Sequence, residues 1–201
     1  MSDLHYNHPG ILRHNPGTRN FVDVDEMNSW LSKNVWDVIS EDDIVFDLGD
    51  TFWNMDYSRI STILGSVKGT MYKVMGNHDK YGLYYDQAPL NRYYRLISDL
   101  LDIVITYDGI DYRCTLSHYP LVTWNHKARG SFMLHGHCHG NIDDYNKLSP
   151  DLRVDIGMDG SLCNSLGSSP LIDFSDILRY FLDKSGGKDF KEYALNNCSN
   201  L

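Results

Sequence analysis

Five short clusters of aspartate, histidine, asparagine and glycine hold the residues of this chain that could carry chemistry. In chain order they are Asp3-Leu4-His5, Gly49-Asp50, Gly76-Asn77-His78-Asp79, Ser117-His118 and the segment HGHCHG from His135 to Gly140. Imidazole nitrogens beside carboxylates and an amide are the donors that a borderline transition metal prefers, whereas magnesium and calcium favour oxygen. The residue types therefore indicate manganese, iron, zinc or nickel, and manganese is the metal that we predict first.

The charges of these clusters suit two divalent ions. The carboxylates of Asp3 and Asp50, with otherwise neutral imidazoles and an amide, would leave a two-metal site with a charge of about +2, which attracts an anion. A bridging carboxylate can hold two metals about 3.5–4 Å apart, so that a shared water becomes a nucleophile and both ions contact a phosphoryl group. Asp50 is the predicted bridge.

Each cluster also has an ordinary structural interpretation when it is taken alone. Asp3-Leu4-His5 could be a polar chain end, Gly49-Asp50 could be the turn that ends a strand, and His118 could be a core histidine with satisfied hydrogen bonds. A structural zinc site at Cys138 would need a second cysteine at zinc-finger spacing, which the chain does not offer. The functional interpretation therefore requires that the clusters meet in space.

Most of the clusters directly follow strand-like segments, and strand ends are where sheet proteins with covering helices form ligand sites. Short runs rich in β-branched and other apolar residues predict six strands: Ile44 to Phe46, Met71 to Met75, Ile103 to Tyr107, Tyr112 to Ser117, Ser131 to His135 and Leu152 to Ile156.

Helical periodicity appears between several of these strands. Apolar residues at helical spacing predict helices from Met27 to Val38, from Ile60 to Val67, from Tyr93 to Leu101 and from Ile177 to Leu182, the last ended by Gly186. Asp108-Gly109 predicts a hairpin, because both residues tolerate the positive φ angles of a type I′ turn. The pattern predicts an α+β (mixed α/β) fold of mixed sheets flanked by helices.

Length and composition are those of one globular domain, residues 1–201, with 42% hydrophobic and 22% charged residues. The start of the chain resembles no secretory signal and no segment is long and apolar enough to span a bilayer, so we expect a cytoplasmic protein with no membrane partner and with Cys114, Cys138, Cys163 and Cys198 reduced. With a net charge of −9 and no basic stripe, long duplex nucleic acid is not expected as a partner.

The order and content of the five clusters resemble the calcineurin-like metallophosphoesterase superfamily, and in particular its small stand-alone bacterial and phage-type members. The pattern of that family is DxH, GD, GNH followed by D or E, H and then GHxH, and the matching blocks here span residues 3 to 139. The resemblance implies a four-layer α/β/β/α sandwich of two mixed sheets flanked by helices, the metallo-dependent phosphatase-like fold.

The resemblance also implies a role for each matching residue. Asp3, His5 and His139 would bind one metal, Asn77, His118 and His137 the other, and Asp50 would bridge the two. His78 would be a catalytic group that protonates the leaving oxygen or stabilises phosphoryl charge, which suits a histidine near neutral pH. Asp79 is predicted to orient His78.

Two departures from the family pattern carry expectations of their own. Family members usually have a β-strand before DxH, whereas Asp3 is the third residue here, so that strand is expected to be absent or removed. The first ligand would then lie on a frayed end, or another segment would have to fill the position of the strand in the sheet. No insertion large enough for a capping domain separates the blocks, which predicts an open site for a small phosphoester, including nucleotide-like ones.

The first hypothesis is hydrolysis of small phosphomonoesters or phosphodiesters by a metal-bridging hydroxide, with His78 assisting the leaving group. A metal-dependent nuclease acting on short nucleic acid is the alternative among enzymes. A scaffold that keeps the fold without catalysis, and a domain that metal merely stabilises, are the non-catalytic alternatives. The sequence does not decide the natural substrate, the physiological metal or the oligomeric state.

Overall fold

A three-stranded parallel sheet forms the first half of the fold. The computed structural model describes residues 1–85 and 88–197, so Cys198 lies outside the described residues. Strands β1 (Ile44–Asp47), β2 (Thr70–Val74) and β3 (Leu96–Ser98) lie in the order β1-β2-β3. Both pairings are parallel, so the prediction of two mixed sheets is wrong for this sheet. The crossover from β1 to β2 runs through helix α3 (Tyr57–Ser66), as parallel neighbours require.

The second sheet has four strands and is mixed. Strands β4 (Leu100–Tyr107), β5 (Ile110–Ser117), β6 (Phe132–His135) and β7 (Arg153–Asp155) lie in chain order. The β4–β5 pair is antiparallel and the other two pairs are parallel. The predicted hairpin turn is confirmed, because Asp108 and Gly109 have φ angles of 49° and 76°.

Helices flank both sheets. The helices on the first sheet are α1 (Pro9–His14), α2 (Val24–Leu31) and α3, and α2 continues as a π-helical turn over Ser32–Trp36. The helices beside the second sheet are α5 (Asp143–Leu148), α6 (Ser161–Ser165), α7 (Phe174–Ser185) and α8 (Phe190–Asn197). The short helix α4 (Tyr81–Tyr84) and single turns at Asn91–Tyr93 and Lys127–Arg129 complete the elements. Three of the four predicted helices and all six predicted strands are confirmed.

The prediction of a third helix, from Tyr93 to Leu101, is wrong. A single 3-10 turn ends at Tyr93, β3 follows, and β4 starts at Leu100. Leu96–Ser98 instead pairs with Tyr72–Val74, so cross-strand hydrogen bonds override a helical spacing of apolar residues. The chain changes from the first sheet to the second at this point.

Two apolar cores hold the layers together. One lies between the first sheet and its helices, and includes Met27, Leu31 and Leu64. The other joins the inner faces of the two sheets, for example Val74 with Leu116, and extends to α7. The carboxyl ends of β1, β2, β5 and β6 are therefore fixed relative to one another. No helix among the described residues is long and apolar enough to cross a membrane.

The first six residues lie between the two sheets, where they bond to both. The Leu48 amide donates to the Met1 carbonyl over 2.9 Å, and Ser2 forms a parallel bridge with Gly157 beyond β7. Asp3 is 0% exposed. The expectation of a frayed first ligand is wrong, because this short segment itself occupies a position between β1 and β7.

Candidate metal centre

Loops at the carboxyl ends of four strands, together with the N-terminal segment, bring the predicted ligands to one place. The carboxylate of Asp50, which follows β1, lies at its centre. Its Oδ2 atom is 3.4 Å from Nε2 of His118, and 3.9 Å from Nε2 of both His5 and His78. Asp50 thus lies between His5 and His118, which the family resemblance assigns to different metals.

The first ligand group consists of Asp3, His5 and His139. One potential ligand atom from each lies within 4.8 Å of the others, and the same holds for Asp3, Asp50 and His118. Oδ1 of Asp3 and Nε2 of His5 are buried and have no hydrogen-bond partner among the described residues. Buried polar atoms are nearly always paired, so two such atoms in one group have the arrangement that a cation-binding site would offer.

The second ligand group converges on the side-chain oxygen of Asn77. Nε2 of His118 and Nδ1 of His137 lie 3.0 and 2.9 Å from that oxygen. Nδ1 of His118 donates a hydrogen bond to the carbonyl of Leu48 over 2.8 Å, which leaves Nε2 directed to the site. All seven predicted ligands are therefore brought together by the fold.

Five of the predicted ligands have left-handed backbone conformations. The φ angles of Asp3, His5, Asp50, His137 and His139 are 56°, 50°, 55°, 67° and 48°. Such a conformation costs a non-glycine residue about 1–3 kcal/mol and persists only where surrounding contacts determine it. Positive φ at five predicted ligands indicates that the backbone of these loops is determined by the required directions of the side chains rather than by the most stable local conformation.

Burial and neighbouring charges set the ionisation of the ligands. Burial lowers the pKa of His5 to about 3, so its imidazole is neutral and offers a lone pair. Burial acts to raise the pKa of Asp50, but the hydrogen bond and charge of His118 outweigh it and lower the pKa to about 2. Burial raises the pKa of Asp3. A cation beside the Asp3 oxygens would favour the charged form.

His78 differs from the ligands in being accessible. Its side chain is 41% exposed, and its backbone amide donates to Oδ1 of Asp50 over 2.8 Å. Its ring lies 4.5 Å from that of Trp53, centroid to centroid. The backbone is thus fixed to the centre of the site, while the imidazole faces the side from which a ligand would approach.

The carboxylate of Asp79 bonds to backbone amides and to Lys73, and among the described residues no hydrogen bond joins it to the ring of His78. Oδ2 accepts hydrogen bonds from the backbone amides of Asp50 (3.1 Å) and Gly76 (2.9 Å), and pairs with the ammonium of Lys73 at 3.0 Å. Oδ1 has no hydrogen-bond partner among the described residues. Asp79 therefore links the loop after β1 to the loop after β2. This role differs from the predicted one, which was to orient His78.

A buried lysine, missed at the level of the sequence, supports this arrangement. Lys73 is 0% exposed and also pairs with Asp47 at 2.9 Å. Burial acts to lower its pKa, but the carboxylates of Asp47 and Asp79 outweigh that effect and raise it above its ordinary value, so the ammonium stays charged. The only signal in the sequence is that Asp47 and Lys73 are the charged residues of two strands, β1 and β2, that are made mostly of apolar residues.

Arg19 and Asp159 are two further residues of the site that lie outside the predicted ligand set. Both side chains are 0% exposed, and they form an ion pair 2.8 Å long. Oδ2 of Asp159 lies 2.7 Å from Nδ1 of the ligand His139. The histidine that begins the HGHCHG segment, His135, is by contrast outside the site, where its ring bonds to Gly136 and Asn146.

The fold and this cluster define a two-sheet α/β protein with a site suited to divalent cations. No family model matches the chain. It is 31% identical over 152 residues, 75% of this chain and 74% of the relative, to the uncharacterized protein MJ1445 of Methanocaldococcus jannaschii. The chain belongs to the same family as that archaeal protein.

Among solved structures, the chain is similar to a protein of unknown function, AQ665, from Aquifex aeolicus. The identity is 27%, the TM-score is 0.49, and the match covers 68% of this chain and 76% of the other.

Proposed function

We propose that this protein is a dinuclear-metal phosphoesterase of the calcineurin-like type, acting on small phosphomonoesters or phosphodiesters. The observation that carries the proposal is the position of the Asp50 carboxylate between two ligand groups, one of which contains buried ligand atoms without hydrogen-bond partners. Two sheets flanked by helices support the four-layer phosphatase sandwich as the finer description of the fold.

The residues present fit two transition-metal ions. Asp3, His5 and His139 would hold the first, the convergent group around Asn77 would hold the second, and Asp50 would serve both. When bound, two such ions supply Lewis-acid polarisation of a phosphoryl group and acidify water. Manganese remains the first choice, with iron, zinc or nickel as alternatives.

The chain itself contributes charge, orientation and a proton donor. Two carboxylates among seven ligands leave excess positive charge at the site once divalent ions are bound, which favours a small anionic phosphoester despite the acidic protein surface. His78 lies at the exposed edge with its backbone fixed to Asp50, so its ring can reach a leaving oxygen. Asp79 holds the two loops that carry these residues in register.

The exposed side of the site has aromatic neighbours. Tyr119 is 46% exposed and its ring lies 4.6 Å from that of His137, while Trp53 lies beside His78. Aromatic faces of this kind can stack on a planar leaving group. They support the inclusion of nucleotide-like and aryl phosphoesters among the substrates.

The test is hydrolysis of nitrophenyl phosphate and bis(nitrophenyl) phosphate by chelator-stripped protein resupplied with manganese, with metal analysis in parallel. Turnover that requires manganese, is lost in Asp50→Asn and is kept in Asp111→Asn would support the proposal. The control is suitable because Asp111 contacts Thr106 in the β4–β5 hairpin rather than the site. Two bound ions without turnover would favour the non-catalytic scaffold, and no bound ion would refute the proposal.

A further inference from the structure

The buried ion pair of Arg19 and Asp159 lies outside the predicted ligand set and contacts the first ligand group at two separate points. Asp159 approaches the ring of His139, and Arg19 approaches the backbone of Asp3 and Leu4. Arg19 lies in the segment between α1 and α2, whereas Asp159 follows β7, so 140 residues separate the partners. Neither belongs to a motif that the ligands define.

The contact to His139 fixes the direction of its ring. Oδ2 of Asp159 lies 2.7 Å from Nδ1 of His139, and this places the opposite nitrogen, Nε2, 3.9 Å from Oδ1 of Asp3. A carboxylate that accepts from one ring nitrogen holds the proton there and leaves the other nitrogen free to bind a cation. His139 is thus presented to the first metal position in a single orientation.

The contacts to the backbone fix the other two members of the group. Arg19 donates from Nη2 to the Asp3 carbonyl over 2.5 Å and from Nη1 to the Leu4 carbonyl over 2.9 Å. Asp3 and His5 both have positive φ angles, so this short segment needs external contacts to keep its shape. The guanidinium supplies them while its Nε and Nη2 hold Asp159 at 2.8 Å.

In the second ligand group, no carboxylate among the described residues bonds to Nδ1 of His118. His118 is held instead through Nδ1 by a backbone carbonyl, that of Leu48. Loss of the Asp159 carboxylate would therefore affect one metal position and leave the support of the other unchanged.

We infer that Arg19 and Asp159 are positioning residues that set the affinity of the first metal position, formed by Asp3, His5 and His139. This inference rests on the proposed function. Loss of a carboxylate that supports a metal-binding histidine weakens metal affinity by about 10–100-fold. The effect should fall on one of two ions only.

The experiment is a calorimetric titration of the metal-free protein with Mn²⁺, comparing wild type with Asp159→Asn. The matched control is Asp151→Asn, which removes the carboxylate of another largely buried ion pair, that with Lys127 at 2.8 Å. We expect two ions in wild type and in the control, and in Asp159→Asn one affinity about 10–100-fold weaker with the other unchanged. Equal affinities in all three proteins, or an equal loss at both positions in Asp159→Asn, would overturn the inference.

A second measurement needs no variant and covers the case in which Asp159→Asn fails to fold. In the zinc-loaded wild-type protein, long-range ¹H–¹⁵N spectra should show His139 protonated at Nδ1. Protonation at Nε2 would overturn the inference while leaving the phosphoesterase proposal intact. A wild-type protein that binds no divalent ion would overturn both.

Discussion

Removal of the Lys73 ammonium should destabilise the metal-free protein strongly. Lys73 lies 2.9 Å from Asp47 and 3.0 Å from Asp79, and all three side chains are at most 1% exposed. Lys73→Met keeps the volume but leaves two carboxylates buried without their cation. Removing one member of a buried ion pair costs about 3–5 kcal/mol, a large part of the roughly 5–15 kcal/mol by which proteins are stable.

A double-mutant cycle separates the charge effect from a packing effect. In Lys73→Met the buried group carries two negative charges, whereas in Lys73→Met/Asp79→Asn it carries one, as in wild type. The double variant should therefore be clearly more stable than the sum of the two single losses predicts, with a coupling energy of about 1–3 kcal/mol, the scale of residues in one network.

The assay is urea unfolding in the presence of a chelator, followed by the fluorescence of the four tryptophans. The control is the same cycle on Arg179 and Asp176, an equally short pair at 2.8 Å whose arginine side chain is 67% exposed. Exposed helix pairs couple by about 0.3–0.5 kcal/mol. A coupling energy for Lys73 and Asp79 no larger than this control would refute the reasoning.

Three further predictions concern the site. His78→Ala should keep both ions but reduce turnover about 100-fold or more, the scale of a lost general acid, and unchanged turnover with metal content confirmed would contradict the role of His78. Asp50→Asn should weaken both ions, whereas His118→Ala should mainly weaken one; calorimetry that shows a single affected ion in Asp50→Asn would contradict the bridge. Burial raises the pKa of Asp155 from 3.8 to about 7, so between those values the folded metal-free chain binds more protons than the unfolded chain and stability falls as pH rises. In Asp155→Asn, the part of this loss of stability that comes from Asp155 should disappear. Urea unfolding of the variant and of wild type at about pH 4.5 and 8 would measure the difference.

Local patterns predicted the elements of the fold where local chemistry decides them. Apolar runs were sufficient to predict β1 and β2, and Asp108-Gly109 was sufficient to predict the hairpin turn. Each of these signals lies within a few neighbouring residues of the chain. The segment from Tyr93 to Leu101 failed for the opposite reason. Its conformation depends on pairing with Tyr72–Val74, 24 residues earlier in the chain, and no local pattern indicates that pairing.

The ligands of the candidate site were predictable but the residues that support them were not. Histidines and aspartates in glycine-containing loops are unusual enough to be noticed, and strand order explains why they meet. Arg19 and Lys73 are ordinary basic residues until their partners are known. Asp159, the partner of Arg19, is 140 residues away in the chain, and only the fold places it beside His139.

The two apolar cores argue against a domain that metal merely holds together. Residues from both sheets and from α7 are buried independently of the site, as Phe132 and Phe181 are at 0% exposure. Yet the loops at the site keep positive φ angles and buried ligand atoms without hydrogen-bond partners, which a purely structural design would avoid. Strained loops with unpaired carboxylate and imidazole atoms, on a fold that has its own apolar cores, therefore favour the proposed metal site over a purely structural role for these residues.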